Sequence, residues 1–163
     1  MRTSGCWIGA LSIAGLLLAR GPALAAENLR LAPGLSFSDD SSDRFPIEGD
    51  RLDEATTGRG RVAVAFFGAA HCWNTNREAE RIVALYSRLR DSVDFIVVNV
   101  THPSPAQHRI LEAHYRGTIP TIVVFAPDGT VTWARSGETA ASRGDTGPLE
   151  DRIRRATGVA GAR

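Results

Sequence analysis

Two short apolar runs constrain this chain more than any other feature: Val62-Ala63-Val64-Ala65-Phe66-Phe67, and Val93-Asp94-Phe95-Ile96-Val97-Val98-Asn99-Val100. The first is bounded by Gly60 and Gly68, and both have the character of strands covered on two faces. Between them, over Asn74–Arg90, Ala79, Ile82, Leu85, Tyr86 and Leu89 recur at helical spacing. Arg and Glu are expected on the opposite side of that amphipathic helix. Two buried strands joined by a helix are expected to lie parallel, with a right-handed crossover.

Downstream, Ser104-Pro105-Ala106-Gln107 opens a second helix. Ser caps it, Pro takes the first turn and Gln completes a capping box. Ile110, Leu111, Ala113 and His114 or Tyr115 continue the helix, and Gly117 ends it. Thr121–Phe125 is a third strand, Pro127-Asp128-Gly129 a hairpin turn, and Thr130–Ala134 a fourth strand. A last helix starts at Pro148 and runs through Leu149, Ile153 and Ala156. The expected fold is α/β: a mixed sheet with helices on both faces and a terminal antiparallel hairpin. Upstream, residues 27–60 are polar and turn-rich, with Pro33-Gly34, Asp39-Asp40-Ser41-Ser42-Asp43 and Pro46. They are expected to wrap or fray, with a short helix over Asp50–Thr57.

Composition narrows the function. All nineteen basic residues are Arg, so chemistry that needs a lysine Schiff base or a phosphate-loop lysine is excluded. A net charge of +1 leaves no electrostatic footprint for nucleic acid. At the start, Arg2 precedes an uncharged stretch from Gly5 to Ala19, and Ala23-Leu24-Ala25 follows. That stretch falls short of the roughly 20 residues a membrane span needs. It is expected to be an export signal cut after Ala25 or Ala26, with no membrane span left behind. An uncleaved anchor is the alternative, against which Arg20 and the Ala-x-Ala pattern both stand. The expected parts are a signal peptide (1–26), a polar extension (27–49), the domain (50–157) and a short tail (158–163).

Cleavage removes Cys6 and leaves one thiol, Cys72. A lone thiol in an oxidising compartment forms no internal disulfide, so it is either buried and inert or reactive. The element order, a cysteine just past the first core strand, and Ile119-Pro120-Thr121 before the hairpin together resemble the thioredoxin family. Phe67-Gly68-Ala69-Ala70-His71-Cys72-Trp73-Asn74-Thr75 stands where that family carries its Cys-x-x-Cys motif. Tyr115-Arg116-Gly117-Thr118-Ile119-Pro120-Thr121 is similar to the family segment whose proline is cis and faces the cysteine, and Asp128-Gly129 matches its hairpin. The resemblance covers roughly residues 50–157 and implies a thioredoxin-like sheet. It also implies departures. The second cysteine falls on Thr75, the family's buried acid on Phe66, and its buried lysine near Val97. Without the resolving thiol, a mixed disulfide can be released only by an outside thiol.

The catalytic candidates are therefore Cys72, Thr75 and His71. Cys72 is expected at the start of the helix, where backbone N–H groups and the dipole favour a thiolate. His71 adds positive charge when protonated, and Thr75 can offer its hydroxyl to the sulfur. Trp73, Ile119 and Pro120 are the substrate-binding candidates. His102 follows the second strand to the same sheet edge, as a metal ligand beside Cys72 or, more simply, a surface residue. No metal-ligand spacing supports a metal site, and no cofactor is expected. The sequon Asn99-Val100-Thr101 ends a buried strand and is discounted. The expected function is monothiol exchange with protein thiols or disulfides, or with a small thiol, in the periplasm or outside the cell. A thioredoxin-like binding module without redox activity is the alternative, and thiol-based peroxide chemistry a third option.

Overall fold

β3 (Val62–Gly68) and β4 (Val93–Asn99) lie side by side and parallel, in register from Val62 opposite Val93 to Gly68 opposite Asn99. They belong to a computed structural model that describes residues 25–138 and 145–158. All but the last two residues of the expected signal segment lie outside the described residues, as does all but Gly158 of the expected tail. β5 (Thr121–Phe125) runs antiparallel to β3, and β6 (Val131–Ser136) antiparallel to β5, so the sheet order is β4-β3-β5-β6. β6 starts and ends one to two residues later than the sequence predicts. Its hairpin turns at Gly129, whose φ of +88° is a left-handed conformation that glycine adopts without strain.

Strand periodicity sorts the core into two layers. Val64, Phe66, Phe95, Val97, Ile122 and Val124 face α1 (Trp73–Leu89) and α3 (Gly147–Ala156). Ala65, Phe67, Ile96, Val98, Val123 and Phe125 face α2 (His108–His114), which contributes Ile110. Helices thus cover both faces. α2 follows a single 3₁₀ turn, Pro105–Gln107, in which the Gln107 side chain accepts from the Ser104 amide at 3.1 Å. The same buried side chain donates to the Val97 carbonyl at 2.9 Å, tying the turn to the outer edge of β4.

The segment expected as a polar extension is ordered. β1 (Glu27–Leu31) and β2 (Ile47–Asp50) form an antiparallel pair that buries Leu29 and Ile47 in the α1 layer. Ala26 donates to the Phe95 carbonyl at 2.8 Å, joining the pair to the edge of β4. The helix expected over Asp50–Thr57 is replaced by a turn. Arg51 sits there at φ +54°, which breaks any right-handed helical run.

Candidate functional site

β3 runs out at Gly68 and α1 begins at Trp73, so residues 69–72 turn the chain at the carboxyl edge of the sheet. Cys72 is the N-cap of α1, extended at φ −134° and ψ 107°, half-buried, with its thiol free. It makes no side-chain cap hydrogen bond, and the first turn of the helix carries no acidic residue. The sulfur therefore stands at the positive end of a seventeen-residue helix.

Thr75 is fully buried. Its hydroxyl accepts from the Ala69 amide at 3.3 Å, which ties it to the turn. Its methyl group lies where a Cβ on Gly68 would have to go, only 2.6 Å from that position. Glycine at 68 and threonine at 75 fit as a pair. Thr75 thus packs against the end of β3 and fixes the turn.

The His71 ring is engaged by the turn between β1 and β2. It adopts φ +52°, a conformation uncommon for a residue with a Cβ. Nε2 pairs with the Asp43 carboxylate, and Nδ1 lies 3.3 Å from the Asp40 carbonyl. The hydrogen bond with Asp43 raises the His71 imidazole above its ordinary value, against a smaller opposing effect of burial.

Trp73 is 41% exposed beside Cys72, with the Arg77 guanidinium 5.5 Å from its ring centroid. It helps line an open groove with Leu31, Phe37, Arg77 and Glu80. Pro120 heads β5: Thr121 pairs with Phe67, which sets Pro120 at the sheet edge where β3 ends. The Ile119–Pro120 bond is cis, Pro120 is buried and Ile119 half-buried. The Pro120 carbonyl accepts from Gly137 at 2.7 Å. Cys72, Trp73 and Thr75 thus share the first turn of α1, while Ile119 and Pro120 stand at the same edge on the next strand over. His102 is exposed, held to the Thr101 hydroxyl at 3.0 Å. It helps line a cavity of about 290 Å³ with Phe45, Leu52, Asp53, Asn99 and Gln107.

Phe66 and Val97 are direct register partners and are buried in the α1 layer. The Phe45 ring lies over Phe66 with centroids 6.2 Å apart, so hydrocarbon fills that place.

Charge is buried elsewhere, in a cluster the sequence reading missed. Glu78 is fully buried and Arg81 is 7% exposed, although both were expected on the solvent side of α1. Glu78 Oε2 accepts from Arg81 at 2.6 Å and from Arg135 on β6. Arg81 also donates to Glu138 at 2.8 Å, and Arg77 pairs with the other Glu138 oxygen. Burial pushes the Glu138 carboxyl up, but the hydrogen bond from Arg81 and the Arg77 and Arg81 charges outweigh it and hold it below its ordinary value. A signal was present. Glu78 precedes Ile82, Leu85 and Leu89 by four, seven and eleven residues, so it continues their stripe, and Arg135 alternates with inward-facing Trp133.

No protein-family model and no curated protein matches this chain. Among solved structures it is similar to a thioredoxin mutant from Halobacterium salinarum NRC-1, at 21% identity and a TM-score of 0.49, over 61% of this chain and 78% of that one. StoA from Bacillus subtilis shares 15% identity at a TM-score of 0.47, over 58% of this chain and 83% of its own. A candidate thiol:disulfide interchange protein, DsbE from Chlorobium tepidum, shares 14% at 0.49, over 69% of this chain and 87% of its own. These overlaps are partial, and the assignment rests on the chain's own topology. With strand order β4-β3-β5-β6, a parallel β3-α1-β4 unit and a terminal antiparallel hairpin, the fold is thioredoxin-like.

Proposed function

We propose that this protein is an exported, thioredoxin-like monothiol protein that performs thiol-disulfide exchange through Cys72. One observation carries the reading: the only thiol among the described residues is a half-buried N-cap with no capping bond, at the sheet edge where β5 also begins. A cysteine kept for packing would sit in one of the two core layers, and Cys72 is in neither.

In this reading the Cys72 thiolate attacks one sulfur of a disulfide R–S–S–R′. A Cys72–S–S–R bond forms and R′–S⁻ leaves, taking up a proton from water. Thr75 carries no thiol, so an outside thiol R″–SH must attack the mixed disulfide. R–S–S–R″ departs and the Cys72 thiol is restored. Ile119 offers backbone for an extended partner strand, with Pro120 beside it and Trp73 as an aromatic contact. Partners are protein disulfides or thiols, or a small thiol. His71 and Thr75 act by shaping the turn that presents Cys72.

The test has two halves. Native protein incubated with oxidised glutathione takes up one glutathione at Cys72, and reduced glutathione removes it. In a Cys6→Ser background, Cys72→Ser takes up none. A native protein that stays unmodified, while the urea-unfolded chain is modified, overturns the proposal. It would leave the second reading, a binding module, for which the hydrocarbon at Phe66 and Val97 and the exposed Trp73 speak.

A further inference from the structure

The turn that joins β1 to β2 reaches the beginning of α1. Three hydrogen bonds hold it there. His71 Nε2 meets the Asp43 carboxylate, His71 Nδ1 lies 3.3 Å from the Asp40 carbonyl, and Asn76 Nδ2 donates to the Asp39 carbonyl at 2.7 Å. The two anchor residues bracket Cys72. His71 precedes it, and Asn76 lies one helical turn further on, its amide donating to the Cys72 carbonyl at 3.0 Å. The turn is footed on both sides, since Phe37 and Phe45 pack against the α1 core layer. Between these feet the residues are polar and largely exposed.

The geometry at His71 favours the imidazolium. Both ring nitrogens face acceptors, a carboxylate oxygen and a carbonyl oxygen. A neutral imidazole has one N–H and can serve only one of them, whereas the imidazolium serves both. The charged groups facing the ring are Asp40 and Asp43. The first turn of α1 adds no acid, and neighbouring Arg44 is turned away to the Pro33 carbonyl at 2.9 Å.

We propose that residues 39–43 are a strap that restricts access to Cys72 and is latched by protonated His71. Its consequence for exchange rests on the reading of Cys72 as a reactive thiol, but the latch itself does not. A group raised on pairing stabilises the paired state fully below its ordinary value, about 6.5 for histidine, and loses that effect as pH rises through the raised value. The strap is therefore closed in mildly acidic solution and released in mildly alkaline solution. When closed, it admits small thiols and excludes wide partners.

The test labels the chain carrying Cys6→Ser, so that Cys72 is its one thiol, with N-ethylmaleimide and with a polyethylene-glycol maleimide. Both reagents share one reaction, so the bulky-to-small rate ratio cancels thiol ionisation and reports access alone. From about pH 6 to about pH 8.5 the ratio rises about twofold to fivefold, the range an exposed ion pair can supply. Asp43→Ala, which removes a side chain that is 94% exposed, holds the ratio at its high value throughout. Asn76→Ala raises it at every pH while keeping the pH dependence. A flat ratio, unchanged by Asp43→Ala, overturns the proposal. NMR gives a readout independent of the thiol: the amide shifts of residues 39–43 follow the His71 titration in the parent protein and cease to do so in Asp43→Ala. Strap amides indifferent to His71 would also overturn it. A thiol inert to N-ethylmaleimide would sink the exchange reading instead, and the strap would then be judged by its shifts.

Discussion

The two flanks of α1 are built from opposite materials. Toward β3 and β4 the helix meets hydrocarbon, with Phe66 and Val97 paired across the sheet and Phe45 laid over them. Toward β6 it meets charge, with Arg81 bridging Glu78 and Glu138 while Arg135 and Arg77 close the ends. Apolar burial tolerates exchange of one hydrocarbon for another. A buried ionic cluster does not, because loss of one member leaves its neighbours desolvated with fewer partners. The difference also bears on chemistry. Glu78, the first carboxylate after Cys72 in the chain, is engaged through Oε2 by two guanidinium groups.

Substitutions on the two flanks test this contrast. Arg81→Ala strips both carboxylates of their shared partner and should lower unfolding stability by about 3–5 kcal/mol in urea titration. Phe66→Leu, on the dry flank, should lose less than about 1.5 kcal/mol. A larger loss for Phe66→Leu than for Arg81→Ala would break the comparison. Next in size is the fit between β3 and α1. Gly68→Ala drives a methyl group into Thr75 and should lose about 1–3 kcal/mol. Adding Thr75→Ser removes the opposing methyl and should recover part of it, a coupling that independent sites would not show.

Thr75→Cys should lose only about 0.5–1.5 kcal/mol, the value of the hydrogen bond to Ala69. Its two thiols, three residues apart at the start of one helix, should oxidise to an internal disulfide detected by loss of alkylation. Failure to oxidise would mean that the turn does not hold the two side chains together. The smallest effect concerns pH. Glu138 is held below its ordinary value, so its contribution is complete above the ordinary carboxylate range and fades as pH falls through the depressed value. Urea midpoints measured from neutral pH into acid should fall less in Glu138→Gln than in the parent.

Much of this architecture was legible in the chain. The apolar run at residues 62–67, the run at 93–98 broken only by Asp94, and the stripe from Ala79 to Leu89 placed β3, α1 and β4 within a residue or two. Thr121–Phe125 matched β5 at both ends. The same reasoning fell short where contacts join distant, polar segments. β1 and β2 are short strands that each bury one large apolar residue, Leu29 and Ile47, so neither shows a period. The His71–Asp43 pair spans 28 residues and leaves no local pattern. Glu78 and Arg81 were assigned to solvent by their charge, although their spacing continued the buried stripe. At the site, Cys72 fell where the sequence put it, at the head of α1, but the partners of Thr75 and His71 emerged only with the turn in three dimensions.

Under the proposed function, the fold presents Cys72 for reaction rather than hiding it. The rate of Cys72 with Ellman's reagent at neutral pH, in the native protein and in the same chain unfolded in urea, tests it most directly. A native rate equal to or above the unfolded rate is the predicted result. A native thiol that reacts far more slowly, and only as fast as the protein unfolds, would contradict the account.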